Sequence, residues 1–235
     1  MHKKISEIKK NEGPPKVIKN IFNNQEIENF LKLYKELPIT VHNKKQNVIK
    51  KRWLQDFGKE MQKLFYERVS SIIGDFKMDN LKDEKGEDIY GLFQESYNPI
   101  GLHIDGGFNF EDQIYKQTLI PLTPVGSTVI FKNRYYGKST NFTIDQKELE
   151  KKDLKYGQNI RSKDHIGMFG EKAFDKEIHR KFLSHEKIDN LIGLEVELIY
   201  NWEVGSLLIF DRSSLHCSSS VIDGKKIGLT TFTKR

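Results

Sequence analysis

Short apolar runs separated by turn residues make up much of the sequence after Ile89, and they constrain the fold most strongly. Their lengths and their content of β-branched and aromatic residues are typical of β-strands. Helical patterns do not alternate with them, so a parallel βαβ sheet is disfavoured and an antiparallel sandwich or barrel is favoured. The runs are IYGLFQESY (89–97), QTLIPL (117–122), STVIF (127–131), GLEVELIY (193–200), SLLIF (206–210) and KIGLTTF (226–232).

Two amphipathic helices are predicted ahead of these strands. Apolar residues with helical spacing follow Asn23 and Asn24 and predict a capped helix that extends to Leu37. A second run with a helical period predicts a helix over 54–76, with Gly74 as a stop signal. Each helix must bury its apolar face, and we expect both to cover one sheet. The predicted fold class is therefore mainly β with flanking helices (α+β).

One domain with an arm and an insertion accounts for the length of 235 residues, since domains typically contain roughly 50 to 250 residues. Residues 1–20 form a Lys-rich N-terminal arm, and 21–235 form the domain. Within it, 21–87 supply the supporting helices and 88–235 the strand core. The polar stretch 137–190 interrupts the strand pattern. Long structureless loops are uncommon unless they are functional, so we predict an insertion with some helix that acts as a lid.

The single cysteine, Cys217, excludes an intramolecular disulfide bond. The N-terminal residues lack the apolar stretch of a secretory signal. The apolar runs are far shorter than the roughly 20 residues that a membrane helix needs. These features predict a cytoplasmic protein with no membrane partner.

The net charge of the chain suggests nucleic-acid binding, but its composition argues against this function. The sequence has 39 Lys+Arg and 33 Asp+Glu, which gives a net charge of +6. Only 7 of the basic residues are Arg, whereas bidentate recognition of phosphates and bases favours Arg. The Lys residues are spread along the chain, so we expect most of them to be solvated and nucleic acid not to be a partner.

Two histidines and one aspartate are the strongest candidates for chemistry. His103 and Asp105 are two residues apart, the spacing that places two side chains on the same face of a strand. His216 follows the strand pattern GSLLIFD (205–211). Two imidazoles and one carboxylate form the facial triad that binds Fe(II) and leaves positions open for other ligands. A structural zinc site would prefer thiolates, and the chain has one.

The alternative for His103 and Asp105 is a surface turn, because Asp-Gly-Gly is ordinary turn chemistry. The downstream sequence favours the metal site, since Lys226 lies ten residues after His216 at the start of a further strand. The other histidines of the polar insertion, His165, His179 and His185, lack carboxylate or thiol spacing, and we expect them to lie on a solvated face.

In these motifs the sequence resembles the 2-oxoglutarate/Fe(II)-dependent oxygenases, in the prolyl-hydroxylase-like or phytanoyl-CoA-hydroxylase-like branch. The family pattern is H-x-D, a long gap, then H followed about ten residues later by Arg or Lys. The resemblance covers 88–232 and implies a double-stranded β-helix, a jelly-roll (cupin-like) barrel with N-terminal helices packed on its major sheet. It rests on SYNPIGLH (96–103), QTLIPL (117–122), GSTVIF (126–131) and GSLLIFDRSSLHCSSSVIDGKKIGLTTF (205–232).

The resemblance implies that His103, Asp105 and His216 are the iron ligands. It also implies that Lys226 pairs with the distal carboxylate of 2-oxoglutarate. Lys225 is the alternative cation. Strand alternation places Lys225 on the same face as the apolar Ile227, which suits the helix-covered side, so we expect Lys226 to point into the barrel.

Further contacts are predicted on weaker grounds. Ser218 resembles the serine that some members use beside the basic residue, and Tyr97 is a candidate for a hydrogen bond to 2-oxoglutarate. Arg134 and Tyr136 follow a predicted strand at the opening of the insertion, where a substrate contact at the barrel mouth would lie. We expect Trp202 to belong to the core.

The implied activity is oxygenation with Fe(II), 2-oxoglutarate and O2 as cofactors, release of succinate and CO2, and stimulation by ascorbate. Asp105 favours hydroxylation, because halogenating members lack this carboxylate. The expected partner is a small-molecule or peptidyl substrate; the sequence does not indicate an oligomeric state. One alternative is a cupin-like ligand-binding protein without oxygenase activity. The other is a nucleic-acid demethylase, which is disfavoured because Arg235 is the only arginine after His216.

Overall fold

The computed structural model describes residues 3–44, 47–79, 81–82, 85–105, 114–136 and 169–235. Its α-helices are α1 (Lys3–Lys9), α2 (Asn24–Glu36), α3 (Lys59–Ile73) and α4 (Lys176–Phe182), and a 3-10 helix spans Ile188–Leu191. Its strands are β1 (Lys16–Ile18), β2 (Val41–Asn43), β3 (Val48–Leu54), β4 (Lys77–Met78), β5 (Leu81–Lys82), β6 (Asp88–Ser96), β7 (Ile114–Pro121), β8 (Ser127–Arg134), β9 (Val196–Asn201), β10 (Leu207–Asp211), β11 (Ser214–Ser218) and β12 (Lys226–Lys234). Within these ranges, every helix is too short or too polar to cross a membrane.

The strands form a large and a small antiparallel sheet. The major sheet has the order β1-β10-β7-β12-β6-β3-β2, with β4 added to β12 and β5 added to β6. The minor sheet has the order β11-β8-β9. All six predicted strands are present, as β6, β7, β8, β9, β10 and β12, and neighbouring strands are antiparallel throughout. The predicted mainly β, antiparallel architecture is confirmed.

The two sheets pack face to face around an apolar interior. Leu119, Leu208 and Phe210 of the major sheet contact Ile130 and Tyr200 of the minor sheet, and all five side chains are buried. Alternation along each strand sends every second side chain into this interior. The same alternation therefore decides which polar residues of β7, β11 and β12 can reach the space between the sheets.

Helix α2 covers the outer face of the major sheet, as predicted. Asn23 caps it through a capping box: its side chain accepts from the Glu26 N–H at 2.9 Å, and the Glu26 carboxylate accepts from the Asn23 N–H at 2.8 Å. Phe30 of the helix is buried, with its ring centroid 6.2 Å from that of Trp53 on β3. Trp53 in turn contacts Phe93 on β6. This aromatic contact fixes the helix layer on the sheet.

The second predicted helix is shorter than the sequence pattern indicated. It was expected over 54–76, but α3 spans Lys59–Ile73. Leu54 instead ends β3 and pairs with Ile89 on β6. Pairing with a long neighbouring strand supplies backbone hydrogen bonds that outweigh a helical spacing of apolar residues, and Gly58, at φ +64°, turns the chain before the helix begins.

The N-terminal segments contain more strand than predicted. Residues 16–18 were assigned to the arm, but β1 pairs with β10 at the edge of the major sheet. Residues 21–87 were expected to supply helices only, yet β3 pairs with β6 along seven residues of the sheet. Both strands were missed because β1 has only three residues and the middle of β3, at 50–52, is basic, so neither shows a clear apolar alternation.

The end of the predicted insertion packs on the outer face of the minor sheet. Residues 137–168, including His165, lie outside the described residues. Beyond them, Leu183 and Leu191 are buried against Leu215 and Cys217 of β11, so Cys217 serves packing, as expected. The predicted helical content of this segment is confirmed by α4.

Glu186 of the same segment reaches back to the chain beside His103. Its buried carboxylate accepts a hydrogen bond from the Leu102 N–H at 2.7 Å and another from Asn190. The expectation of a solvated face is wrong for His185, because both of its ring nitrogens are buried and burial lowers the pKa of the imidazole to about 4. The segment 169–190 therefore supports the chain around His103 from outside the barrel.

A Gly228→Ala substitution is expected to destabilise the protein. A Cβ atom at this position of β12 would lie 2.7 Å from Cη2 of Trp202, whose indole ring occupies the barrel interior. Overpacking of this kind typically costs about 1–3 kcal/mol. Urea denaturation should show a lower midpoint with an unchanged slope.

Gly13→Ala is the matched control, because nothing lies within 4 Å of a Cβ atom there, and it should leave the midpoint unchanged. Adding Trp202→Phe to Gly228→Ala should recover part of the loss. A Gly228→Ala protein as stable as the wild type would contradict this account of the interior.

Candidate metal centre

Two backbone hydrogen bonds join the chain after β6 to β11. The His103 N–H donates to the His216 carbonyl at 2.9 Å, and the His216 N–H donates to the His103 carbonyl at 3.0 Å. Close by, the Ser218 N–H donates to the Ile100 carbonyl at 2.9 Å. His103 thus lies in an isolated bridge to β11, whereas the H-x-D spacing had predicted a regular strand. The bridge brings the centroids of the two imidazole rings within 4.3 Å of each other.

Both imidazoles present Nε2 to the same carboxylate. His103 Nδ1 lies 2.7 Å from the Gly101 carbonyl, and His216 Nδ1 lies 3.0 Å from the Ser214 carbonyl. A carbonyl oxygen can only accept, so each Nδ1 carries a proton, and in the neutral form of each ring the lone pair is on Nε2. The two Nε2 atoms lie 3.4 and 3.3 Å from the Asp105 carboxylate oxygens. This tautomer is the one that a metal-binding histidine uses.

The electrostatics of the group follow from its burial and its internal contacts. Burial alone would raise the pKa of the Asp105 carboxyl, but the adjacent His103 and His216 imidazoles hold it well below its ordinary value. Burial lowers the pKa of His216, and the neighbouring His103 lowers it further. Burial alone would lower the pKa of His103, but the adjacent Asp105 carboxylate raises it above its ordinary value, so a cation that binds here displaces a proton from that ring.

The group has the size and the donor set of a metal site. One ligand atom each from His103, Asp105 and His216 lies within 4.8 Å of the other two. In the part of the chain that the structure describes, it is the one group of three such side chains close enough to share an ion. Two nitrogens and one oxygen on one side of an ion suit octahedral Fe(II) and leave its other positions open.

Lys226 is buried in the barrel interior at the start of β12. Its Nζ donates to the Ser127 carbonyl at 2.8 Å and to Ser218 Oγ at 3.3 Å, and it lies 4.2 Å from the centroid of the Trp202 ring. No carboxylate of the described residues pairs with it, and burial lowers the pKa of the ammonium to about 7. Because an unpaired buried cation is costly, this environment fits an anionic ligand.

Lys225 points away from the interior, as strand alternation predicted. Its Nζ lies 3.4 Å from the Glu95 carboxylate on the helix-covered side of the sheet. Tyr97 lies on that side too: its hydroxyl donates to Glu95 at 2.6 Å, beside the hydroxyl of Tyr34 from α2. Tyr97 is therefore not brought to the barrel interior, contrary to the sequence prediction, whereas Ser218 is brought beside Lys226.

The two predicted substrate contacts are bound to other groups. Arg134 donates to the Phe131 carbonyl at 2.8 Å and lies 3.2 Å from the Glu197 carboxylate. The Tyr136 hydroxyl donates to Glu12 of the N-terminal segment at 2.6 Å. The sequence prediction rested on the positions of both residues in the chain. In the structure, their contacts are with β8, β9 and the N-terminal segment rather than with the triad.

Gln117 and Phe210 also touch the triad, although the sequence prediction did not include them. The Gln117 amide donates to Asp105, and the Phe210 ring centroid lies 4.9 Å from that of His216 in an edge arrangement. A signal for Gln117 was present in the sequence, because it alternates with Leu119 on the inward face of β7 and is the polar member of an otherwise apolar pattern.

Comparison with solved structures supports the fold, whereas comparison of the sequence with known families and proteins finds no match. No protein-family model matches the chain, and no curated protein sequence matches it. Solved structures do match. An oxidoreductase of the 2OG-Fe(II) oxygenase family from Burkholderia pseudomallei is 9% identical, with 94% of this chain and 84% of that chain covered and a TM-score of 0.50.

Two further structures contain ligands. HygX from Streptomyces hygroscopicus, solved with nickel and 2-oxoglutarate bound, is 14% identical, with 100% of this chain and 87% of that chain covered and a TM-score of 0.51. The epimerase SnoN, solved with Fe3+, alpha ketoglutarate and nogalamycin RO, is 8% identical, with 98% and 84% covered and a TM-score of 0.50. At these identities the matches establish a shared fold, which confirms the predicted jelly-roll architecture.

Removal of any triad side chain is expected to abolish tight metal binding. Asp105→Ala and His216→Ala should each weaken Ni(II) binding by more than the roughly 10–100-fold that changes behind the ligands typically cost. Isothermal titration calorimetry of the folded variants measures the effect. His42→Ala, which removes an exposed histidine, is the matched control and should bind Ni(II) like the wild type. Unchanged Ni(II) affinity in either triad variant would contradict the metal site.

Proposed function

We propose that this chain is an Fe(II)- and 2-oxoglutarate-dependent oxygenase that hydroxylates a small-molecule or peptidyl substrate. One observation carries the proposal: a group of two imidazoles and one carboxylate shares its barrel with a buried ammonium, Lys226, that has no carboxylate partner among the described residues. The fold shared with a structure of the 2OG-Fe(II) oxygenase family and with two structures that contain a metal and 2-oxoglutarate supports it. The triad alone would fit many classes of metalloprotein. The unpaired Lys226 ammonium favours a class that also binds an anionic cosubstrate such as 2-oxoglutarate.

The triad residues would hold the metal through His103 Nε2, His216 Nε2 and Asp105. Fe(II) held there would supply the redox chemistry by which O2 and 2-oxoglutarate yield an oxidised substrate, succinate and CO2. The carbonyls of Gly101 and Ser214 keep the imidazoles in the orientation and tautomer that this requires. Asp105 fills the ligand position that halogenating members of the family leave open, which favours hydroxylation.

Lys226 would anchor the distal carboxylate of 2-oxoglutarate. Its ammonium has three N–H donors, and two neutral oxygens, the Ser127 carbonyl and Ser218 Oγ, accept from it. A carboxylate beside it would supply the missing counter-charge, and the Ser218 hydroxyl could then turn to donate to the same group. The Trp202 ring covers one side of the ammonium, so it shields this ion pair from solvent and strengthens it.

A small-molecule substrate has the most direct support. HygX has also been solved with hygromycin B bound, and SnoN with nogalamycin RO. By that analogy we place the substrate of this chain beside the open side of the triad. SnoN is an epimerase, so a protein with a similar fold carries out a reaction other than hydroxylation.

Turnover of 2-oxoglutarate tests the proposal. The wild-type protein with Fe(II), 2-oxoglutarate, ascorbate and O2 should release succinate, slowly without substrate and faster with a member of a panel of small molecules and peptides. Chromatographic quantification of succinate measures this. The Asp105→Ala variant, which lacks one triad side chain, gives the background level of succinate. Succinate at the Asp105→Ala level across the whole panel would favour the ligand-binding jelly roll instead.

The pH dependence of 2-oxoglutarate binding tests the role of Lys226. Its pKa in the free protein is about 7, and a bound carboxylate favours the charged form. Binding must therefore take up a proton once the pH exceeds 7, and the affinity should fall by up to about tenfold per pH unit above that value. Calorimetry at saturating Ni(II) between pH 6.5 and 8.5 measures the slope.

Lys226→Arg is the matched variant, because a guanidinium stays charged over this whole range. Its affinity for 2-oxoglutarate should be nearly independent of pH. If the affinity of Lys226→Arg for 2-oxoglutarate fell with pH as steeply as that of the wild type, the assignment of Lys226 to the 2-oxoglutarate site would be wrong.

A further inference from the structure

Gln117 is a buried polar residue whose only side-chain hydrogen bond to a described residue is made to the triad. It lies on β7 on the same face as Leu119, which belongs to the apolar interior, and it is 2% exposed. Its Nε2 donates to Asp105 Oδ2. Its carbonyl Oε1 is buried and has no donor among the described residues.

The orientation of this amide follows from chemistry. A carboxylate that binds a metal is ionised and can only accept hydrogen bonds, and Nε2 is the atom of Gln117 that faces Asp105 Oδ2. The NH2 end of Gln117 must therefore face Asp105, and the carbonyl end must point away from it. One hydrogen bond, to Asp105, thus sets the orientation of the whole side chain.

Stability does not account for a glutamine at this position. A buried carbonyl without a donor costs free energy, and an apolar side chain of the same length would pack beside Leu119 and Phe210 without that cost. Gln62 on α3 is an instructive contrast. It is also buried, but it donates to the carbonyls of Leu54 and Phe57 and so stabilises a turn. Within the described part of the chain, the side chain of Gln117 bonds to no backbone group.

We propose that Gln117 is a positioning residue that orients Asp105 as a metal ligand. The amide occupies Oδ2 of the carboxylate, so that Asp105 offers a single oxygen to the ion rather than two. Metal-binding carboxylates can coordinate through one oxygen or through both, and a second oxygen would fill a position that the proposed reaction needs for 2-oxoglutarate or O2. The inference rests on the proposed metal site, and it assigns to this chain a determinant of coordination number.

Replacement of the amide by a thioether tests the proposal. Gln117→Met keeps the length of the side chain and removes the donor. Calorimetry should show Ni(II) affinity reduced by about 10–100-fold, the usual effect of losing a partner of a ligand. At saturating metal, binding of 2-oxoglutarate should weaken as well. The visible spectrum of bound Co(II), which responds to coordination number, should differ from that of the wild type.

Two further variants separate positioning from folding. Gln62→Met removes an equally buried glutamine and should lower the urea midpoint without changing Ni(II) affinity or the Co(II) spectrum. Gln117→Asn keeps an amide that is one methylene too short to reach Asp105, and it should reproduce the loss of metal affinity in a protein that retains a polar side chain there.

The outcomes distinguish this inference from the proposed function. A Gln117→Met or Gln117→Asn protein with wild-type Ni(II) affinity and Co(II) spectrum would overturn the role of Gln117 and leave the oxygenase proposal intact. A wild-type protein that binds Ni(II) but releases no succinate would overturn the oxygenase proposal, while reduced metal affinity in Gln117→Met would still support the role of Gln117.

Discussion

The pair of backbone hydrogen bonds between His103 and His216 is the interaction on which the candidate site depends. It joins the chain that leaves the major sheet after β6 to β11 of the minor sheet, and it lies where the two sheets meet. One loop and one strand thereby place two imidazoles and, two residues on, a carboxylate around a common point. Glu186 stabilises the same loop from outside by accepting the Leu102 N–H. The site is thus held by backbone geometry, and its side chains need little further ordering to bind an ion.

Apolar and polar residues lie in different parts of the barrel interior. Leu208, Ile130 and Tyr200 belong to the cluster that closes one part of it, whereas Lys226 and Gln117 bring polar atoms into the rest. Buried polar groups without full partners cost stability, and both of these residues are incompletely paired among the described residues. Both residues lie in the barrel that contains the triad, as expected where polar groups are retained to bind a ligand.

Sequence patterns were sufficient for the six strands β6, β7, β8, β9, β10 and β12 and for the polar residues placed by local alternation. The inward direction of Lys226 followed from the apolar character of Ile227, and the H-x-D motif with a distant histidine identified three side chains that the structure brings together.

Long-range pairing could not be predicted in the same way. The strand that contains Leu54 carries a helical spacing of apolar residues, and only its partner β6 makes it extended. Tyr97 was misplaced because nothing local shows that Glu95, Tyr34 and Lys225 gather on the helix-covered side.

Trp202 links the stability of the barrel to the environment of its buried cation. Its indole N–H donates to Thr128 at 2.9 Å, its ring lies over the Lys226 ammonium, and it leaves no room for a side chain at position 228. Residue 228 is two residues from Lys226 on the same face of β12, so the glycine that admits the ring and the lysine beneath it form one packing unit. A larger residue at 228 would displace the ring and expose the ammonium to water, which would return its pKa towards the ordinary value and weaken its attraction for a carboxylate. The same contact that fills the interior would therefore also set how strongly the proposed anion site attracts a carboxylate.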